Sequence, residues 1–382
     1  MTLSMRSTEP DPARIYERYR RSIGRSRRDL ATPALILDIE SATRNLQAME
    51  RSLRDQSAKL RPHIKAGKSP QMARLHLEHG AIGVATATAW EALVMARSGI
   101  PDVLIANEVV GPAKLDAVVA AAQHARVTVA IDDPRGVAEL SAVAQAAGVT
   151  LEVLIEVDVG MSRGGTRTLE QSLTLARAVG NSPGVRLRGI QAYEGHCMSE
   201  TDRASRTAMA QAAMGIAEEH LTALREAGYD AGELSGGGTG TYDITGRNPL
   251  VTELQAGSFV FMDMFHARLV DQFEFALFVA STVVARHGNT VVLDAGRKSI
   301  GVDYASPRIA GIKMDARFFA EEHGSFDFPG HSPLDRGDLV ELIPGYAPTT
   351  VNLHDVYHVV AGDEVVDVWP IIPRGPGRGM LA

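Results

Sequence analysis

The sequence predicts an α/β protein, in which a closed barrel of parallel strands precedes a second domain of mostly antiparallel strands. Eight short apolar runs follow one another within residues 59–257, without the polar alternation of a half-exposed sheet. Segments rich in Ala and Leu, with helical periodicity, separate most of these runs. Eight such units favour a (β/α)8 barrel, although periodicity alone also permits a doubly wound open sheet.

The elements can be placed in order along the chain. Barrel strands are expected at residues 59–64, 81–85, 102–106, 126–131, 151–157, 187–193, 231–235 and 253–257. Helices are expected at residues 41–57, 113–123, 136–147, 169–179 and 204–227. A separate strand is expected at 33–38, and Val-rich runs typical of antiparallel strands lie at 273–286, 290–293, 338–342, 355–360 and 364–368. We therefore divide the chain into an Arg-rich N-terminal extension (1–30), a barrel (31–265), a β domain (266–372) and a flexible tail (373–382).

The composition argues against several classes of protein. The chain has 382 residues, 45% hydrophobic and 22% charged, and its net charge of −7 argues against a nucleic-acid binder. Residues 1–30 carry eight Arg but also four acidic residues, which favours a solvated helix or a subunit contact over a basic arm. Cys197 is the only cysteine, so an intrachain disulfide or a Cys-cluster metal site is excluded. Without an apolar run of membrane-spanning length or a signal peptide, we expect a soluble, cytoplasmic protein.

A lysine near the end of the first barrel strand is the strongest candidate for chemistry. In the string LRPHIKAGKS at residues 60–69, strand alternation would place Arg61, His63 and Lys65 on one face. Burial at the end of a strand lowers the pKa of a lysine and makes its amine nucleophilic toward an aldehyde. Lys68 lies beyond the strand, past a glycine, and a solvated loop lysine is the alternative to a reactive one.

This string resembles the Pro-His-x-Lys-x-His-Lys signature of the fold-type III pyridoxal phosphate (PLP) enzymes of the D-threonine aldolase and D-serine dehydratase group. The resemblance implies a barrel like the N-terminal domain of alanine racemase, a strand at 33–38 that joins the β domain, and a PLP Schiff base on Lys65. His63 is then a cofactor-binding residue, whereas Gly67 stands where the family usually has a second histidine. Similar strings at 105–111, 252–263 and 293–296 extend the resemblance over roughly residues 32–360.

Two glycine-containing loops are candidates for a phosphate site. The strings SGGGTGT at 235–241 and AGS at 256–258 follow the seventh and eighth barrel strands. Consecutive glycines let backbone N–H groups approach an anion, and barrel enzymes often bind phosphate in these two loops. A merely flexible turn is the alternative. We assign the cofactor phosphate to Gly237, Gly238, Thr239, Gly257 and Ser258.

Two further strings contribute candidates around the cofactor ring. The string EVDVGMSRGG at 156–165 resembles a family segment whose arginine, here Arg163, would hold the phenolic oxygen of PLP ionised. A plain ion pair with a nearby acid is the alternative. In QAYEGH at 191–196, alternation places Gln191 and Tyr193 together, and the resemblance implies a neutral partner for the pyridine ring there. His196 is either an acid/base group or a loop histidine with satisfied hydrogen bonds.

The resemblance breaks at the family's metal site. In PGYAPTTVNL at 344–353, Tyr346 and Pro348 replace the His and the Cys or Asp that bind a divalent metal in the family. Neither is a usable ligand at neutral pH, so we assign no metal-binding residue. A displaced site remains open at His354, Asp355 and His358. Tyr346 or His323 could then replace the metal in activating a substrate hydroxyl, and ordinary packing is the alternative for both.

These observations predict a PLP-dependent lyase that cleaves or forms the Cα–Cβ bond of a β-hydroxy-α-amino acid, D at Cα, without the family's metal. The alternatives are a racemase or epimerase with Lys65 and Tyr346 on opposite faces, a D-β-hydroxy amino acid dehydratase, or a non-catalytic PLP carrier. The β domain argues against the carrier. The resemblance also implies a homodimer with its active site at the interface, where Tyr346 would reach Lys65 only through the partner chain. We expect a small amino-acid substrate and neither nucleic acid nor membrane as a partner.

Overall fold

The structure is a computed structural model, and it describes residues 12–375. Its strands, in chain order, are β1 (Ala34–Asp38), β2 (Lys59–Leu60), β3 (Val84–Thr86), β4 (Asp102–Ile105), β5 (Arg126–Ile131), β6 (Leu151–Glu156), β7 (Val185–Ala192), β8 (Glu233–Gly236), β9 (Glu253–Leu254), β10 (Leu277–His287), β11 (Thr290–Leu293), β12 (Arg308–Ile309), β13 (Phe318–Phe319), β14 (Gly324–Asp327), β15 (Leu339–Ile343), β16 (Val356–Ala361) and β17 (Glu364–Pro370). Its α-helices are α1 (Pro12–Arg20), α2 (Ile39–Leu53), α3 (Pro70–Glu78), α4 (Ala89–Arg97), α5 (Pro112–Ala122), α6 (Pro134–Ala147), α7 (Leu169–Gly180), α8 (Arg203–Glu226), α9 (Tyr242–Thr245) and α10 (Ala347–Leu353). Across these described residues, no helix is long and apolar enough to cross a membrane.

Strands β2 to β9 form a parallel sheet that closes into a barrel. Their spatial order is β2-β9-β8-β7-β6-β5-β4-β3, and each neighbouring pair is parallel. The ends meet where the Ile82 N–H donates to Leu60 O at 3.0 Å and the Ala85 N–H donates to Pro62 O at 2.9 Å. Because α3 to α9 connect successive strands, the (β/α)8 barrel is confirmed and the open doubly wound sheet is excluded.

The barrel strands are buried on both faces, which explains why their sequences lack alternation. Every residue of β6 is buried, and every residue of β5 is buried except Arg126. The helices begin at side-chain caps: Thr88 accepts a hydrogen bond from the Glu91 N–H at the start of α4, and a capping box opens α7. With strand and helix alternating in this way, the loops that follow the strands gather at one end of the barrel.

The second sheet is mainly antiparallel and takes in β1. Its order is β13-β14-β11-β10-β1-β16-β17, with β15 beside β10 and β12 beside β15. Strand β1 lies between β10, to which it is antiparallel, and β16, to which it is parallel, so the predicted placement of the 33–38 strand is confirmed. The Arg-rich extension also lies against this sheet, because the Tyr16 hydroxyl donates to Val368 O at 2.7 Å and the Gly24 N–H donates to Val365 O at 2.8 Å. Residues 1–11 of that extension lie outside the described residues.

The first barrel strand is shorter than predicted. It ends at Leu60, because Pro62 has no N–H to donate to a ladder, and a 3-10 turn follows. The prediction that Arg61, His63 and Lys65 share one strand face is therefore wrong. Arg61 is 1% exposed and forms ion pairs with the first residues of β4 and β9.

The β domain and the tail contain structure that the sequence pattern did not reveal. Strands β12 to β14 and helix α10 are too short for a periodic signal. Within the tail predicted to be flexible, the Gly375 N–H donates to Asn352 Oδ1 at 2.8 Å. Residues 376–382 lie outside the described residues.

Candidate active site

One cavity lies at the C-terminal ends of the barrel strands, where the loops after β2, β6, β7, β8 and β9 meet. It brings together most of the site residues predicted from the sequence, namely His63, Lys65, Arg163, Gln191, Tyr193, Gly237, Gly238, Thr239, Gly257, Ser258 and Tyr346. Residues far apart in the sequence therefore line one cavity, as expected for a barrel enzyme.

Lys65 is the lysine that faces this cavity. It lies in the 3-10 turn Ile64–Ala66, and its Nζ is 5.9 Å from the centre of the Tyr193 ring. Removal from water is the largest cause that lowers the pKa of Lys65, and the positive charge of Arg163 adds to it. Lys68 is instead paired, since its Nζ lies 2.5 Å from Glu91 Oε1. The geometry therefore distinguishes the two lysines and leaves Lys65 as the more reactive amine.

His63 supports the turn that carries Lys65. Its Nδ1 accepts a hydrogen bond from the Lys65 N–H at 3.4 Å. Removal from water, together with the neighbouring positive charge of Lys65, lowers the pKa of His63 well below its ordinary value. The imidazole is therefore neutral at physiological pH.

The glycine loops can accommodate a phosphate group. Thr239 Oγ1 is buried and has no hydrogen-bond partner among the described residues, which is costly unless a ligand supplies one. A Cβ on Gly257 would lie 2.4 Å from the carbonyl oxygen of His63, so only glycine permits this close approach. The N–H groups of Gly237 and Gly238 are already used, because they donate to side chains of the same chain at 3.1 and 3.2 Å. The hydroxyls of Thr239 and Ser258, which line the same cavity, remain available as donors.

Glu194 holds the first glycine loop in place, a role that the sequence did not reveal. It is fully buried and accepts hydrogen bonds from the Gly237 N–H at 3.1 Å and the Thr241 hydroxyl at 2.6 Å. The Thr245 hydroxyl also donates to it. No local pattern signals this role, because its partners lie in another loop.

Arg163 and Tyr193 line the same cavity, and Tyr193 lies against the first glycine loop, where a Cβ added to Gly238 would be 3.3 Å from its ring. The Arg163 side chain is 52% exposed, 3.6 Å from Glu156 and 6.0 Å from the Tyr193 ring centre. Burial, reinforced by Glu194, raises the pKa of Tyr193 to about 12, so this phenol stays protonated. Gln191, which also lines the cavity, accepts a hydrogen bond from Gln255 at 2.9 Å and donates one to Glu156.

Tyr346 lines the cavity in the same chain as Lys65. The prediction that a partner chain is needed to bring these residues together is therefore wrong. Burial is the main cause that raises the pKa of Tyr346, and the neighbouring Tyr193 and Asp263 reinforce it. At neutral pH, Tyr346 is therefore a protonated phenol that can donate a hydrogen bond.

A histidine that the sequence analysis did not single out also lines the cavity. The His266 ring stacks on Tyr346 with centroids 5.9 Å apart, and its Nδ1 lies 2.8 Å from Asp263 Oδ1. The available sequence signal was the spacing of three residues between Asp263 and His266. That spacing is too common to select a functional pair by itself.

The other predicted site residues lie elsewhere. His196 packs against the loop at Gly160, where an added Cβ would lie 2.8 Å from its Cε1, and His323 is exposed in the turn between β13 and β14. His354 Nε2 lies 2.7 Å from a backbone carbonyl, and His358 Nδ1 lies 3.3 Å from another. Within residues 12–375, no group of three or more His, Cys, Asp or Glu side chains is arranged to hold a metal ion.

The fold is that of an alanine racemase-type barrel enzyme, with Lys65 in a cavity at the barrel mouth. Residues 37–264 match the family model "Alanine racemase, N-terminal domain", and residues 276–360 match the family model "Putative serine dehydratase domain". The chain belongs to this family and is an enzyme of its D-threonine aldolase-like group.

Three similar proteins place the chain within the group. A D-threonine aldolase from an Arthrobacter species is 37% identical over 354 residues, which cover 91% of this chain and 93% of that protein. The 3-hydroxy-D-aspartate aldolase of Paracoccus denitrificans (strain Pd 1222) is 34% identical over 368 residues, 93% of this chain and 95% of that protein. The crystal structure of D-threonine aldolase from Filomicrobium marinum superposes with a TM-score of 0.90 at 35% identity, over 92% of this chain and 98% of that chain.

Proposed function

We propose that the chain is a PLP-dependent aldolase that cleaves the Cα–Cβ bond of β-hydroxy-α-amino acids with D configuration at Cα, without a divalent metal. The observation that carries the proposal is the position of Lys65, a desolvated amine in a cavity that is also lined by Thr239, whose buried hydroxyl lacks a partner among the described residues. The similar proteins named as aldolases support the reaction and the configuration.

The residues around Lys65 fit PLP. Lys65 would bind its aldehyde carbon, the hydroxyls of Thr239 and Ser258 would bind its phosphate, and Arg163 would lie at its phenolic oxygen. The phosphate would supply the acceptor that Thr239 Oγ1 lacks among the described residues. When bound, PLP supplies the electron sink for the electron pair released at the substrate Cα.

The metal-free part of the proposal rests on the residues in the place of the family's ligands. Pro348 has no donor side chain, and Tyr346 keeps its proton because burial raises its pKa. Tyr346 can still donate a hydrogen bond to the oxygen on Cβ, which stabilises negative charge there as a Lewis acid would. A neutral hydrogen-bond donor therefore stands where the family has a metal ligand.

Labelling tests the cofactor and its position. Purified protein loaded with PLP and reduced with borohydride should carry the label on Lys65, and the Lys65→Ala variant should carry none. Lys68→Ala is the matched control and should still be labelled at Lys65. A label on Lys68 in the wild type would refute the assignment.

A substrate panel tests the reaction and the metal requirement. D- and L-threonine, the phenylserines and the 3-hydroxyaspartates are assayed separately for aldehyde, ammonia and inversion at Cα. Aldehyde from the D substrates alone is expected, and EDTA should leave its rate unchanged. Loss of activity in EDTA with recovery in Mn2+ would contradict the metal-free mechanism.

A racemase is the second candidate, because Lys65 and Tyr346 line the same cavity and could act on two faces of Cα. Inversion without aldehyde would identify it. Ammonia without aldehyde would identify a dehydratase.

A further inference from the structure

A buried histidine–aspartate pair forms the cavity wall beside Tyr346. His266 is 6% exposed, and Asp263 is completely buried. Asp263 Oδ1 accepts hydrogen bonds from both the backbone N–H and Nδ1 of His266, each at 2.8 Å. Asp263 Oδ2 accepts a third from the Ala347 N–H at 2.8 Å. The carboxylate and the imidazole are thus held in one orientation.

This arrangement determines which nitrogen of His266 is basic. A carboxylate only accepts hydrogen bonds, so in the neutral form of His266 the hydrogen lies on Nδ1, which faces Asp263, and the lone pair lies on Nε2. Among residues 12–375, Nε2 has no hydrogen-bond partner, and the ring lines the cavity. The pair therefore presents a basic nitrogen to a ligand, in the way that an aspartate orients a catalytic histidine.

The segment that carries His266 is bonded to the segment that carries Tyr346, first through the Asp263 carboxylate, which accepts the Ala347 N–H, and also through the backbone. The Met264 N–H donates to Pro344 O at 3.0 Å and the Phe265 N–H donates to Gly345 O at 3.1 Å, so the segment after β9 is bonded to the segment after β15. The two rings stack with an interplanar angle of 19°. One wall therefore carries a phenol that holds its proton and an imidazole that can accept one.

We propose that His266 is the catalytic base that removes the proton from the β-hydroxyl of the substrate, and that Asp263 is its positioning residue. The proposal rests on the aldolase function proposed above. The hydroxyl proton passes to Nε2 of His266, the oxygen forms the carbonyl of the aldehyde, and the Cα–Cβ bond breaks with its electron pair left on Cα. Cα then takes up a proton, so an aldehyde and a shortened amino acid form with no oxidant or reductant. Tyr346 would donate a hydrogen bond to the same oxygen.

Kinetics of two variants test the base. His266→Ala should lower kcat about 100-fold or more with little change in KM, because a general base contributes on this order. Exogenous imidazole should restore part of the activity, since it can occupy the vacated volume. The exposed His331→Gln serves as the matched control and should behave like the wild type. Wild-type kcat in His266→Ala, or a loss that imidazoles do not restore, would overturn the role of His266.

The Asp263→Asn variant separates positioning from packing. Both carboxylate oxygens accept backbone N–H groups, so either orientation of the amide sets its NH2 against a donor, and the negative charge that stabilises the protonated imidazole is lost. The base is therefore weakened although the ring is not removed. We expect a comparable loss of kcat, unchanged cofactor absorbance, and no rescue by imidazole. Wild-type kcat in this variant would refute the positioning role of Asp263.

Chemical modification provides a readout that does not depend on turnover. Diethyl pyrocarbonate reacts with the unprotonated nitrogen of a neutral imidazole, so peptide mapping should find His266 modified in the PLP-loaded wild type and much less in Asp263→Asn. An unmodified His266 in the wild type would overturn the inference. If the wild type cleaves no β-hydroxy amino acid, the proposed function fails. If it cleaves them and the His266 variants do too, only the assignment of the base fails.

Discussion

Glu156 should make the stability of the protein depend on pH in an unusual direction. It ends β6, is 6% exposed, and accepts a hydrogen bond from Gln191. Removal from water is the largest cause that raises its pKa to about 8, and the negative charge of Glu108 adds to it. The same carboxyl in an unfolded chain has a pKa of about 4.3. The folded protein therefore holds a proton that the unfolded chain releases.

The sign and size of the effect follow from this difference. From about pH 4.5 to about pH 8 the folded state binds more protons, so stability falls as the pH rises through this window. One pKa unit corresponds to about 1.4 kcal/mol. Because of this carboxyl, the free energy of unfolding should be ~3–4 kcal/mol lower at pH 8 than at pH 5. An ordinary exposed carboxylate would contribute nothing in the same window.

Unfolding by urea at pH 5 and pH 8 tests the prediction, with Glu156→Gln compared with the wild type. The variant should be within about 1 kcal/mol of the wild type at pH 5 and more stable by ~3–4 kcal/mol at pH 8. Glu322→Gln, at a side chain that is 61% exposed, is the control and should differ from the wild type equally at both pH values. If Glu156→Gln also differs from the wild type in its free energy of unfolding by the same amount at pH 5 and pH 8, Glu156 is ionised in the folded protein and the reasoning is wrong.

Three further predictions concern the site. Tyr346→Phe should lower kcat about 100-fold by removing a donor to the oxygen on Cβ, and retention of a third of the wild-type kcat would contradict this. D-threonine should be cleaved with a higher kcat/KM than 3-hydroxy-D-aspartate. The lysine and the arginine that line the described cavity, Lys65 and Arg163, are both assigned to the cofactor, so neither remains to bind a second substrate carboxylate. A preference for the acidic substrate would refute that. The protein should sediment as a homodimer, and a fully active monomer at nanomolar concentration would exclude an interface requirement.

The barrel was predictable because its signals are local. The expected strand at 126–131 coincides with β5, and the expected run at 290–293 coincides with β11. Strand burial on both faces and helix periodicity are written into consecutive residues, so a short window is enough to read them. The first strand is shorter than predicted, because Pro62 has no N–H to continue the ladder beyond Leu60.

Much of the site was also encoded locally. Lys65, Arg163 and the glycine loops stand in short strings of distinctive composition, and each string follows a predicted strand. Parallel strands in a barrel bring the residues at their C-terminal ends together, so the cavity could be predicted without coordinates.

The tertiary structure alone decided which of these groups act together. Asp263 and Ala347, whose hydrogen bond connects His266 to Tyr346, are 84 residues apart, and Glu194 meets its partners across two loops. It also separated Lys65 from Lys68, because the pairing of Lys68 with Glu91 depends on how a turn and a helix start meet in space. Protonation and hydrogen-bond partnership depend on through-space neighbours and on burial, and the order of residues along the chain does not specify either.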